Sequence, residues 1–332
     1  MNQKWPSQRG AALLTVMMIV AAMSVAALAI TSAVTDASQR SRALDAQAQL
    51  GFYAASAEEV AKARLVDVLA PLENRLNADL PGLNEPQIIP VDGGVFAVRA
   101  RDATNCFDLN RLTVSGDGGV QIADAESQAV YRDLLSALIE EGYNSDIVAL
   151  VSSLTDWMDD NSVPASGGAE DSFYSSETPA YRTSSQTLAS IGELRSIRGY
   201  TLDVFARIAP VVCALPAAAA NQNRTLNINT LEPQHAVLLQ QAFGEALSLE
   251  DARTLIETRP QGGWVDVASL LEDPVIERID PGLIQADQLG VISTLVEVSA
   301  NVSYRGQDMT MRYLFEADPG RPIRTLRRER IG

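Results

Sequence analysis

The chain has 332 residues, 26 basic against 42 acidic, and a formal net charge of -16 at pH 7. So negative a balance argues against nucleic acid or an anionic lipid surface as a direct partner, since both demand phosphate neutralisation, while it suits a divalent cation. The length allows one large or two ordinary domains.

The first element is a polar leader bearing Lys4 and Arg9 that ends at Gly10, followed by an uncharged apolar run from Ala11 to about Val34. As a helix rising ~1.5 Å per residue, this run can cross the ~30 Å hydrocarbon layer of a bilayer. Lys4 and Arg9 hold the leader in the cytoplasm and place the C-terminal bulk outside it. A secretory signal would carry a shorter apolar region with a small-residue cleavage site beyond it. Here the available cut lies before the run, between Gly10 and Ala11, and it leaves the helix as the mature N-terminus; the plain alternative is an anchor with a chance glycine. The arrangement resembles the class III leader of type IV prepilins and of the pseudopilins of type II secretion. That resemblance implies cleavage after glycine by a prepilin peptidase, followed by N-terminal methylation, and loss of two basic residues takes the charge from -16 to -18. The fifth residue after the cut is Thr15, where most pilins and pseudopilins carry a glutamate that pairs with the N-terminal amine of a neighbour. An unpaired carboxylate in lipid is costly, so a subunit with nothing above it loses nothing by lacking one. In this respect the chain resembles the K-type minor pseudopilins, the family thought to cap the tip.

Ala-rich helical sequence continues to about Leu69, with Ala54, Ala55, Ala57, Val60, Ala61, Ala63 and Leu65 as its apolar face and Glu58, Glu59, Lys62 and Arg64 opposite. Pro71 and Pro81 mark a linker. Residues 94–102 alternate as a strand, and a second strand is expected near Cys106 to Leu109. From about Leu112 to Leu289 the sequence is helix-like, in short segments broken by Gly, Pro and Ser. Residues 295–304 and 309–316 then alternate around Arg305-Gly306-Gln307-Asp308, a hairpin pattern. The expected fold is α+β: a long N-terminal pilin-type helix and an antiparallel sheet, with a large α-domain inserted in the sheet. K-type pseudopilins have this architecture. The expected divisions are a leader over 1–10, a transmembrane helix over 11–34, pilin-like sequence over 35–111 and 290–332, and the inserted domain over 112–289.

Inside the insertion, Thr155-Asp156-Trp157-Met158-Asp159-Asp160-Asn161 ends a helix, a Pro/Gly loop follows, and Glu170-Asp171-Ser172-Phe173-Tyr174 comes next. Carboxylates on both sides of a flexible loop suit calcium, which takes six to eight oxygen ligands at adaptable angles. The spacing is not that of an EF-hand, and a solvated acidic loop gives the same bare pattern. The segment resembles the calcium-binding part of the K-type pseudopilins, and that resemblance makes Asp156, Asp159, Asp160, Glu170 and Asp171 the candidate ligands. Cys106 and Cys213, an even pair in an oxidising compartment, read as one disulfide or as two unconnected buried thiols. The single histidine, His235, follows Pro233 in the first turn of a helix and reads as a surface or half-buried residue.

Leu226-Asn227-Ile228-Asn229-Thr230 and the helical sequence up to Leu271 resemble a helix-hairpin-helix, or SAM-like, module. The hairpin stretch Phe243-Gly244-Glu245-Ala246 has one glycine and an acid, which suits packing or protein contact better than phosphate. No nucleophile, base and orienting group come together in the sequence, so no enzyme is expected. The resemblance implies a single-pass inner-membrane protein with a periplasmic domain. It would assemble with I-type and J-type minor pseudopilins on the inner-membrane platform to export folded proteins, binding no nucleic acid. The alternatives are a minor type IV pilin or adhesin and, from another class, an exported DNA-binding receptor.

Overall fold

The structure, a computed structural model, describes residues 9–73, 75–83, 85–139, 146–220, 225–318 and 320–331. The leader proposed for residues 1–10 thus lies outside the described residues as far as residue 8.

Helix α1, Arg9–Leu69, is one continuous rod of 61 residues. At ~1.5 Å per residue it is ~90 Å long. From Leu13 to Val34 its large apolar side chains are exposed on every side, and this half is long and apolar enough to cross a membrane. Thr15, Ser24, Thr31, Ser32 and Thr35 donate their hydroxyls back to carbonyls three or four residues earlier, so the helix satisfies them itself. The second half lies on the sheet through Ala46, Leu50, Ala54, Ala61, Leu65 and Leu69. Ala55, Val60 and Ala63, expected on the packed face, are exposed, and Glu58, expected in solvent, is buried. Glu58 is tolerated there because Arg328 donates to it twice, at 2.5 and 2.8 Å, with Thr325 at 2.7 Å and Lys62 at 3.0 Å. These bonds, Arg328's foremost, hold its carboxyl down at about 2 against the cost of burial.

After α1 come β1, Gln87–Val91, and β2, Gly94–Asp102. The chain then enters the inserted block, whose elements are β3 (Phe107–Asp108), β4 (Thr113–Ser115), β5 (Gln121–Ala123), α2 (Ala125–Leu138), α3 (Ile147–Met158), α4 (Asp171–Tyr174), α5 (Leu202–Ile208), β6 (Val212–Cys213), α6 (Ala217–Ala220), β7 (Leu226–Asn227), α7 (Ala236–Gln241), α8 (Leu249–Glu257), α9 (Val267–Leu271) and β8 (Leu289–Gly290). It returns as β9, Leu295–Tyr304, β10, Gln307–Glu316, and β11, Arg324–Ile331. The five-stranded antiparallel sheet has the order β1-β2-β9-β10-β11. Asp102 of β2 pairs with Val296 of β9, so the whole block stands where a hairpin turn would join two neighbouring strands. The β9–β10 turn places Arg305 and Gly306 at φ 48° and 77°, the left-handed pair a two-residue hairpin needs.

Alternation decides the two faces of the sheet. Phe96, Val298, Val302, Tyr313 and Phe315 pack against α1, and Tyr313 donates to the Ala54 carbonyl at 2.6 Å. The opposite face carries Glu297, to which Arg101 donates at 2.8 Å and which Arg312 meets at 3.2 Å. The short strand expected near Cys106 does not join this sheet: β3 pairs in parallel with β6 instead.

Two apolar cores fill the inserted block, one running from Phe107 to Leu238 and one from Ile228 to Leu289. Asp102 sits at the neck between block and sheet. It accepts from Thr104 N and Oγ1 at 2.9 and 2.5 Å, Asn227 Nδ2 at 3.1 Å, Thr230 Oγ1 at 2.8 Å and Ser293 Oγ. A buried carboxylate this fully bonded ties residues from both ends of the block to one strand end. Cys106 and Cys213 lie beside the neck, with their sulfurs 2.07 Å apart and Cα atoms 5.7 Å apart.

Candidate metal centre

Helix α3 supplies the first carboxylates. Asp146 caps its start by accepting from Val148 N and Ala149 N, and Leu150, Val151, Leu154, Trp157 and Met158 fix its buried face. Asp156 lies in the last turn and Asp159 is the residue that ends the helix. Acidic groups at this end face the negative pole of the helix dipole, and no basic residue stands in the last turn. Asp156, Asp159 and Glu170 are 1 %, 4 % and 4 % exposed, and among the described residues none of the three forms an ion pair.

The loop closes over Asp156. Ala165 N donates to its two oxygens at 3.3 and 3.1 Å, and a Cβ on Gly168 would stand 1.9 Å from its Oδ2. Only glycine fits there, and the Gly167-Gly168 pair after Pro164 was the sequence signal for it. Asp159 accepts from Asn161 N and Nδ2 at 3.2 and 2.8 Å. Glu170 Oε1 is buried with no hydrogen-bond partner among the described residues.

Burial pushes the Asp156 carboxyl up to about 6, with Asp159's charge adding to it against the Ala165 and Ala169 amides. It pushes Glu170 up to about 7, reinforced by the charges of Asp156, Asp159 and Asp171. Asp159 is raised for the same first reason. The other two candidates are engaged elsewhere. Asp160 accepts from Gln121 N at 2.5 Å, and its own N–H donates to the Gln121 carbonyl at 3.2 Å. Asp171 accepts from Thr183 N and Oγ1 at 2.9 and 3.0 Å, which holds its carboxyl below the usual range.

Among the described residues no three acidic, histidine or cysteine side chains close on one point tightly enough to hold a metal ion. The electrostatics point the other way: the charges of Asp156 and Asp159 help to raise the Glu170 pKa, and the charge of Asp159 helps to raise that of Asp156, so the three carboxylates share a field. The two observations are compatible, because like charges without a counter-ion stand apart. An all-oxygen donor set, an orphaned buried oxygen on Glu170 and uncompensated charge fit a hard cation in chemistry.

The remaining sequence candidates are structural. His235 is buried rather than at the surface, its Nδ1 accepting from Glu232 N at 3.0 Å, and burial keeps its pKa low. Asn227 works in the neck, and Asn229 clamps Trp264 by accepting from its N at 2.7 Å and donating to its carbonyl at 2.8 Å.

Comparison with known proteins agrees across the chain. The family described as Type II secretion system (T2SS), protein K matches residues 105–217 and 226–291. Type II secretion system protein K of Aeromonas hydrophila is 34% identical over 282 residues, 83% of each chain. The Klebsiella pneumoniae protein of that name is 33% identical over 273 residues, 82% of each. A chain in the crystal structure of the GspK-GspI-GspJ complex from enterotoxigenic Escherichia coli superposes with a TM-score of 0.71 at 28% identity, covering 88% of this chain and 99% of that one.

Proposed function

The chain belongs to the type II secretion system protein K family and is a minor pseudopilin, and we propose that it ends a periplasmic pseudopilus in complex with I-type and J-type minor pseudopilins. The observation that carries this reading is the near-complete overlap with a chain of a complex holding proteins K, I and J. These matches do not favour a type IV pilin or adhesin, or an exported DNA receptor. The tip position draws on two features of this chain. Thr15 offers no carboxylate for a neighbour's amine, and the block between Asp102 and Leu295 stands on the pilin sheet where another subunit would stack. In this reading the role is structural rather than catalytic.

Before assembly, α1 anchors the chain in the inner membrane beside the assembly platform, with the sheet and inserted block in the periplasm. The prepilin peptidase cuts between Gly10 and Ala11. Calcium, when bound, supplies the positive charge that the α3 end lacks; Asp156, Asp159 and Glu170 hold it, with Asp160 and Asp171 at the edges of the site. The Cys106–Cys213 disulfide staples the neck. The helix pair around Gly244 makes packing or protein contacts.

The test is co-expression with the I-type and J-type proteins. A stoichiometric detergent-soluble complex, with crosslinks placing the inserted block at the membrane-distal apex, is the expected result. Polymerisation of this chain alone, or crosslinks to the major pseudopilin on all sides, would overturn the tip assignment.

A further inference from the structure

The loop that brings Glu170 to the end of α3 is held from two directions. From inside, Ala165 N donates to Asp156, and Gly168 N donates back to the Ala165 carbonyl at 2.8 Å. From outside, Arg198 Nη1 donates to the Gly168 carbonyl at 3.0 Å, and the same guanidinium lies over the Phe173 ring, 4.8 Å from its centroid. Gly168 and Phe173 flank Glu170 in the chain, so one side chain ties down the backbone before it and the helix α4 after it. The base of that side chain is fixed as well. Arg198 N donates to Tyr174 Oη at 3.2 Å, and two residues on, the buried Tyr200 donates to the Leu150 carbonyl of α3 at 3.0 Å. Among the described residues Arg198 pairs with none of Asp156, Asp159 and Glu170; its guanidinium is engaged by a carbonyl and a ring.

We propose that Arg198 is a positioning residue for the cation at the end of α3, clamping Gly168 and Phe173 so that the ion does not have to order the loop that carries Glu170. This role presupposes the calcium reading above and adds to it a side chain that is not itself a ligand. Glu170 Oε1, buried and without a hydrogen-bond partner among the described residues, lies between the two clamped positions in the chain. A loop that is ordered only on binding subtracts its ordering cost from the affinity, and a loop held beforehand does not. A charge-assisted hydrogen bond and a cation–π contact do that holding here. Coulomb's law carries the opposite sign: a guanidinium beside the site repels calcium, so by charge alone its removal would tighten binding. The direction of the change therefore separates positioning from charge.

The experiment titrates calcium calorimetrically into the full chain, stripped with chelator and held in neutral detergent at pH 8. Arg198→Met, which keeps the length of the side chain, should weaken the Kd by about tenfold. Phe173→Leu should weaken it in the same direction, and the double variant should bind no worse than the weaker single variant, as two groups of one clamp do. Arg198 is exposed, so the chelator melt of Arg198→Met should stay close to that of wild type. A wild type that binds no calcium would overturn the calcium reading and this role with it. A wild type that binds, beside an Arg198→Met chain that binds as tightly or more tightly, would overturn this role alone. Additive losses in the double variant would overturn it too, because the guanidinium and the ring would then act separately.

Discussion

Replacing Glu170 by glutamine removes one of three buried charges that lack an ion-pair partner among the described residues, so in calcium-free protein at pH 8 it should stabilise the fold. The magnitude follows from the surroundings of the side chain. Its carboxyl is raised from 4.5 to about 7, and at ~1.4 kcal/mol for each unit of pH this corresponds to ~3 kcal/mol of charging cost. Asp156 shares part of that repulsion and water screens part of it, which leaves ~2 kcal/mol to be regained by removing Glu170 alone. Below about 4.5 the group is protonated whether the chain is folded or not, and it costs nothing. As pH rises towards about 7, the unfolded chain gives up the proton before the folded one does, so stability falls through this window and the full cost is present above it. The wild-type chain in chelator should therefore lose ~4–8 °C of melting temperature between pH 5 and pH 8, at ~2–4 °C per kcal/mol, while Glu170→Gln loses much less. Calcium at about a hundred times its Kd should raise the wild-type stability by ~2.7 kcal/mol and leave the variant nearly unmoved. Thermal melts of the full chain in detergent, with and without chelator, read all of this. A variant less stable than wild type in chelator at pH 8, or an equal calcium response in both, would refute the reasoning.

Three other outcomes are expected. Glu58→Gln should lower the melting temperature at pH 7 and flatten the acid limb between about 4.5 and about 2, because the depressed Glu58 carboxyl stabilises the fold above its unfolded value and that contribution is lost as pH falls; an unchanged acid profile would mean that Arg328 does not hold α1 to β11. Cys213→Ser opens a crosslink spanning 107 residues and should cost ~2–4 kcal/mol in a denaturant melt of oxidised protein, most of it through the unfolded chain, whereas free thiols in periplasmic wild type, read by non-reducing mass spectrometry, would remove the expectation. Gly10→Leu should leave uncut precursor in the membrane, and N-terminal sequencing of the wild type should begin at Ala11; mature protein starting elsewhere would count against the cut.

What the sequence determined by itself is what short-range periodicity can carry. The uncharged run in α1 needs no partner to declare a membrane length, and residues 94–102 and 295–316 alternate because one side of each strand meets α1 while the other is mostly polar, with Leu295 and Leu314 covered by the inserted block. The long irregular stretch between them announced an insertion, since no such alternation interrupts it for long. Tertiary structure decided the rest. β1 holds Pro90 and β11 reads Arg-Thr-Leu-Arg-Arg-Glu-Arg-Ile; both are edge strands, with a weak apolar pattern, and only their neighbours make them strands. Glu58 belongs to an apparent solvent face until β11 brings Arg328 against it. The five acidic residues around the 160s loop look equivalent in sequence, yet chain closure buries Asp156, Asp159 and Glu170 while Gln121 engages Asp160 and Thr183 engages Asp171. Burial and the arrival of distant partners set the charge state of a carboxylate, and neither is a property of its neighbours along the chain.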